Sequence, residues 1–183
     1  MCIRDRAEGA ALMTGTKYET KLISGIYEIQ VNRTGAKIMH DNLKSLGEIE
    51  YSESEIIYAN TILRETGKPE KGIDGKVYPL RETLPAQGGS TDVGDVSQVV
   101  PVIRMSATTA ASGGPWHSWA VVACTGMSIG HKGMVYASKA LAMTMADLYK
   151  SPALIKDVKR DFIENRKYDK YDPRILSGQP SLD

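Results

Sequence analysis

Cysteine is scarce: Cys2 and Cys124 are the only two in 183 residues, and they lie far apart with no CxxC spacing. That excludes a disulfide framework and a zinc knuckle. Cys124 closes the apolar run Ala120 to Cys124 and reads as an inert buried thiol rather than a nucleophile. No apolar run approaches the ~18 residues of a spanning helix, and the first thirty residues lack the basic start and apolar centre of a signal peptide. The expectation is a cytoplasmic chain with no membrane partner. Charge of either sign is not in excess, since 23 basic and 22 acidic residues are interspersed along the chain. No nucleic-acid stripe is formed, so no nucleic-acid partner is expected. Histidine is limited to His40, His117 and His131, and there is no internal repeat.

What is present suits one ordinary core, with 42% hydrophobic residues. Met1 to Arg6, MCIRDR, resembles a translated adapter remnant, so residues 1–6 are expected to be a non-native leader on a truncated gene. Residues 7 to 14 look like a helix end, with Gly15 as its left-handed stop. Over 18–31, Tyr27, Ile29 and Val31 alternate with Ile26, Glu28 and Gln30, which predicts one long strand or two broken at Ser24-Gly25.

Asn32 can cap a helix carrying Ala36, Met39, Leu43 and Leu46 on one face and ending at Gly47. Ser52 and Glu55 form a capping-box pair for the next, which must end by Gly67-Lys68-Pro69. Lys68 to Gln87 reads as a surface excursion, and Val99 to Met105 as a short covered strand interrupted by Pro101. Ser128 can cap a helix with Met134, Ala137, Leu141, Met145 and Leu148 along one face; Ser151-Pro152 starts another. Residues 168–183 read as an irregular tail. Strands alternating with amphipathic helices predict an α/β fold with a mixed sheet and flanking helices.

Two segments rich in small and polar residues could carry chemistry: Gly88-Gly89-Ser90-Thr91-Asp92-Val93-Gly94-Asp95 and Gly113-Gly114-Pro115-Trp116-His117-Ser118-Trp119. Glycines let backbone approach a ligand, while Asp92, Asp95 and His117 offer acceptors or metal ligands. The same composition also fits two ordinary turns. A lone histidine between tryptophans is, on general grounds, a packed core residue. His131, near a helix start, could face a pocket or merely cap the helix, and His40 reads as a solvated surface side chain. Tyr136 and Lys139 have the outline of a dehydrogenase Tyr–Lys pair, but their spacing is three rather than four and no dinucleotide fingerprint precedes them.

Residues 88 to 149, with GGSTDVGDVSQVVPVIRM, GGPWHSW and GMSIGHKGMVYASKALAMTMADLY, resemble the carboxyl-terminal half of the two-metal peptidase family of aminoacylases, carboxypeptidases and indole-acetyl-amide hydrolases. AEGAALMTGT and the Asn32 helix fit as well, so the resemblance covers Ala7 to about Lys167. It implies a split α/β catalytic domain with an inserted α+β lid that mediates dimerisation. Residues 7–31 would end the lid, and residues 32–167 would be the returning catalytic half. It also implies an amidohydrolase using two zinc or manganese ions on an N-acyl amino acid, aminobenzoyl-glutamate among them, and a homodimer or hetero-oligomer formed through the lid. His117 matches the family's late metal-binding histidine, while Asp92, Gly113, Gly114 and His131 would line the substrate pocket. The family's early His-x-Asp segment and Glu-Glu pair, whose first member is the general base, have no counterpart here. The chain by itself is therefore expected to be inactive, or a binding module lacking the metal centre.

Overall fold

The computed structural model describes residues 3–21, 24–82 and 91–173. The leader's Met1 and Cys2, Leu22 and Ile23 of the expected strand, Thr83 to Gln87 of the excursion, Gly88 to Ser90 of the first glycine segment, and 174–183 of the tail lie outside the described residues. Among the described residues the chain is helical: α1 (Ile3–Thr14), α2 (Arg33–Leu46), α3 (Glu53–Glu65), α4 (Val93–Val99), α5 (Trp119–Thr125), α6 (Ser128–Lys150) and α7 (Pro152–Glu164). None of these helices is long and apolar enough to cross a membrane.

The expected α/β sheet is therefore corrected to a helical packing with no sheet among the described residues. The reason lies in who takes the backbone donors. Residues 25–31 are extended, but Tyr27 N–H donates to Asp95 Oδ2 at 3.2 Å and Gln30 N–H to Ser97 Oγ at 2.8 Å, while Gln98 Nε2 donates to the Glu28 carbonyl at 2.8 Å. Side chains of α4 thus meet groups that a neighbouring strand would otherwise pair. The run expected as a second strand is divided likewise: Val99 ends α4, and 101–109 runs on without a ladder.

The capping signals operate largely as the sequence suggests. Asn32 accepts from Gly35 N–H at 2.7 Å, Ser52 and Glu55 close their reciprocal box, and Ser151 caps α7 with Pro152 at its first position. Gly15 and Gly47 stop α1 and α2 at φ of 65° and 78°. α1 starts at Ile3, so the helix runs through the expected boundary at residue 7 without a break. Ser128 is a correction. Met127 holds the cap position of α6 and supplies no side-chain cap, and Ser128 is the first residue inside the helix.

The main core gathers Ala59, Ile62 and Leu63 of α3, Ala111 of the segment before α5, Ala120 and Cys124 of α5, and Ile129 of α6, so the buried-thiol reading of Cys124 holds. A second layer packs α2 on α6 and α7 around Met39, Ala140 and Val158. There Asn42 Nδ2 donates to Thr144 Oγ1 at 3.1 Å and to Asp147 Oδ2 at 2.8 Å. α6 buries a small-residue face, Ile129, Gly130, Gly133, Ala140 and Thr144. A Cβ on Gly133 would lie 2.2 Å from the Thr108 carbonyl, so the close approach of the 108 segment requires glycine.

The opposite face of α6 is apolar too, yet Met134 and Met145 stand 60% and 55% exposed, with Leu141 between them. A helix apolar on both faces is ordinarily covered on both.

Glu55 joins the two layers. Its carboxylate accepts from Ser52 N–H and from Lys132 Nζ, both at 2.6 Å, and is 8% exposed. The Lys132 ammonium, then the Ser128 hydroxyl, hold its pKa down at about 2. Because the folded value is depressed, the stabilisation is full above the unfolded value of ~4.3 and fades as pH falls toward 2. Glu55→Gln is expected to lower the unfolding free energy at pH 7 by about 2 kcal/mol. The deficit should shrink in urea melts at pH 3; a deficit independent of pH would show that the ionised carboxylate does not act here.

Candidate functional site

Two irregular stretches, 72–80 and 106–114, are tied to each other beside α3. Ser112 N–H donates to the Gly72 carbonyl at 2.9 Å, Thr108 Oγ1 to the Asp74 carbonyl at 2.5 Å, and Gly72 N–H to Asn60 Oδ1 at 2.7 Å. Between them lies a cavity of 400 Å³ walled by Asp74, Thr108, Gly113, Gly114, Trp116 and Ala120. A larger cavity of 510 Å³ adjoins it and shares Lys76, Tyr78 and Ser106 to Thr108. Asp74 is engaged already: Tyr78 donates to it, and that bond followed by the Lys76 N–H lowers its pKa.

Of the residues singled out in the sequence, Gly113 and Gly114 come to this site, and Gly113 adopts φ 80° at the turn into it. His117 follows on the same loop. Its backbone is left-handed at φ 58°, alone among the described non-glycine residues, and its side chain is exposed, as is Trp116 at 73%. A packed core histidine is thereby excluded. The left-handed turn lets Ser118 extend, donate its hydroxyl to the Pro115 carbonyl at 2.6 Å and cap α5 by accepting from Ala120 N–H at 3.3 Å. Such a conformation costs an L-residue about 1 kcal/mol or more.

Asp92 and His131 are not brought into the cavities. Asp92 is exposed ahead of α4 and makes no side-chain cap, while His131 is exposed in the first turn of α6. Asp95 is a scaffold residue, accepting from Tyr27 N–H and from the Tyr171 hydroxyl. His40 is half-buried and lines the larger cavity, which corrects its reading as a solvated side chain. Tyr136 hydrogen-bonds the Gly47 carbonyl at 2.8 Å and belongs to α6 packing rather than to a proton-transfer pair.

Among the described residues no three His, Cys, Asp or Glu side chains gather closely enough to hold a metal ion. His117 is a single donor, so these residues do not make a two-metal site by themselves. Sequence reasoning misses four cations of the larger cavity, Arg33, Lys76, Arg81 and Arg104. They come from segments remote in sequence. Arg104 alone leaves a trace, as a charge inside the apolar run from Val99 to Met105.

The chain is 32% identical over 180 residues to a subunit of the p-aminobenzoyl-glutamate hydrolase of Escherichia coli (strain K12). The match takes in 85% of this chain and 37% of the relative, so the chain spans little more than a third of that protein's length. No family model matches the chain, and no solved structure matches it.

Proposed function

We propose that this chain forms part of a metal-dependent amidohydrolase that cleaves an amide bond to an amino acid, with p-aminobenzoyl-glutamate as its substrate. The observation that carries the reading is the likeness to a protein named for that hydrolysis. His117 supports it: an exposed imidazole kept on a left-handed backbone, beside the glycine wall of a cavity, suits a donor held ready for a group from outside the chain. In this reading His117 is one ligand of a zinc or manganese centre whose other ligands and general base come from protein beyond these residues. Gly113 and Gly114 border the substrate, and Asp92 and His131 approach it in the assembled enzyme. Residues 7–31 form the last part of a lid domain, and residues 32–167 belong to the catalytic unit. The uncovered face of α6 is where further protein packs, as befits a relative that is one subunit of an enzyme. The balanced charge and the absence of an apolar span suit a place in the cytoplasm.

A non-catalytic binding module is the second reading, favoured by the lack of a three-ligand cluster among the described residues. A chimera separates the two. This chain replaces the matching segment of the Escherichia coli relative, in extracts of cells lacking their own copy of that relative. Release of p-aminobenzoate from p-aminobenzoyl-glutamate is the expected result. A folded, soluble chimera without turnover supports the binding module.

A further inference from the structure

Just after α7 the chain repeats a tripeptide, Lys-Tyr-Asp-Lys-Tyr-Asp over 167–172. Both of its tyrosines return to one ring. Tyr168 meets Tyr27 edge-on with centroids 5.1 Å apart, Tyr171 lies tilted at 5.6 Å, and Tyr27 is 6% exposed beneath them. Polar groups tie down the same stretch. Lys167 pairs with the Glu28 carboxylate, which also accepts from the Tyr168 hydroxyl at 3.2 Å. Tyr171 donates to Asp95 Oδ1 at 3.2 Å, and Tyr27 donates its hydroxyl to the Asp172 carbonyl at 2.9 Å.

The stretch is held differently from the body it lies on. No backbone-to-backbone hydrogen bond joins 167–173 to another described residue. Its ion pair stands at the surface, the Lys167 side chain 68% and that of Glu28 51% exposed, where such pairs contribute little. The base beneath is tied together without it. Asp95 Oδ2 accepts from Tyr27 N–H, Ser97 Oγ accepts from Gln30 N–H, and Gln30 Nε2 donates to the Phe162 carbonyl of α7 at 2.7 Å. A weakly tethered segment over a self-sufficient base opens locally, at lower cost than global unfolding. One residue links the two. Asp95 accepts from Tyr171 on one oxygen and from Tyr27 N–H on the other, and its own N–H donates to the Asp92 carbonyl at 3.0 Å.

We propose that residues 167–172 are a latch: closed, they cover Tyr27 and order the turn from Asp92 to Asp95; open, they leave the helices packed and that turn loosened. The latch stands apart from the amidohydrolase reading and is tested without turnover.

Trypsin digestion and hydrogen exchange of the whole chain, both read by mass spectrometry, are the test. In the folded parent, cleavage after Lys170 should precede every cut within α2, α6 and α7. Glu28→Lys and Lys167→Glu should each speed that cut about fivefold or more at an unchanged melting temperature. Rates are taken relative to a free peptide with each variant's own sequence over 164–173. The double charge reversal should return the rate to within about twofold of the parent, because the ion pair is rebuilt with its signs exchanged. Tyr171→Phe removes a hydroxyl alone. It should speed amide exchange over 93–96 about threefold or more and leave α2 and α6 as they were. Cleavage that waits for global unfolding, single variants no faster than the parent, or a double reversal as open as either would overturn the latch. So would unchanged exchange over 93–96 in Tyr171→Phe. A melting temperature that falls in step with faster cleavage would also overturn it, since the segment would then brace the whole fold.

Discussion

In the active chimera, His117→Ala should lower the rate of p-aminobenzoyl-glutamate hydrolysis on the order of a thousandfold, about 4 kcal/mol of the barrier, the scale of losing a metal's contribution. The variant needs a companion, since the left-handed backbone at φ 58° could itself matter. His117→Gly reaches that region without strain, and His117→Asn visits it more readily than most residues do. Both should keep the parent's melting temperature within a few degrees and both should be as inactive as alanine. Activity retained in either would show that the loop geometry, not the imidazole, serves the reaction. The side chain is exposed and hydrogen-bonds to no described residue, so its removal carries little folding cost to confuse the result.

Gly94→Ala should be the most damaging single methyl in the chain. A Cβ there would sit 1.8 Å from the Tyr27 carbonyl oxygen and 2.8 Å from its carbon, both backbone atoms that no rotamer can relieve. α4 and the 27–30 segment must separate, and the bonds from Asp95, Ser97 and Gln98 are lost together. At about 1 kcal/mol each the loss is roughly 3 kcal/mol, or about 6–12 °C in melting temperature for a chain of this size. Gly9→Ala is the control. Nothing lies within 4 Å of its added Cβ, and in mid-helix alanine should stabilise by about 0.5–1 kcal/mol. If both variants melt together with the parent, the 25–31 segment is not held by α4.

That junction also shows where the sequence stops being legible. The ends of α2, α3 and α7 are written within four residues of themselves, in Asn32, in Ser52 with Glu55, and in Ser151 with Pro152. An alternating pattern such as Tyr27 to Val31 says only that one face is apolar. Whether it becomes a sheet depends on a partner strand, and here side chains sixty-seven and sixty-eight positions away meet the donors. α4 escapes notice for the complementary reason. Its glycine, aspartate and serine are poor helix formers, and long-range bonds stabilise the seven residues. On α6 the periodicity is real, but the large stripe through Met134, Leu141 and Met145 that suggests a packed face is the exposed one. The covered side is the one whose small residues let backbone approach.

The site divides the same way. Gly113, Gly114 and His117 share a loop, so composition can point to them. The cationic cavity is assembled from α2, the 76–81 excursion and Arg104, and no spacing announces it. Asp92 and His131 are expected at a substrate pocket, but in this chain both are exposed and no described contact draws either toward His117.

Whether this chain offers His117 to a metal centre completed by protein outside it is decided by counting the metal ions bound per chimera. The purified chimera is dialysed against zinc or manganese and its metal content is measured by elemental analysis beside that of its His117→Gly variant. Two ions per chimera are expected, and at least one fewer in the variant at the same melting temperature. An unchanged count in the variant would mean that His117 holds no metal.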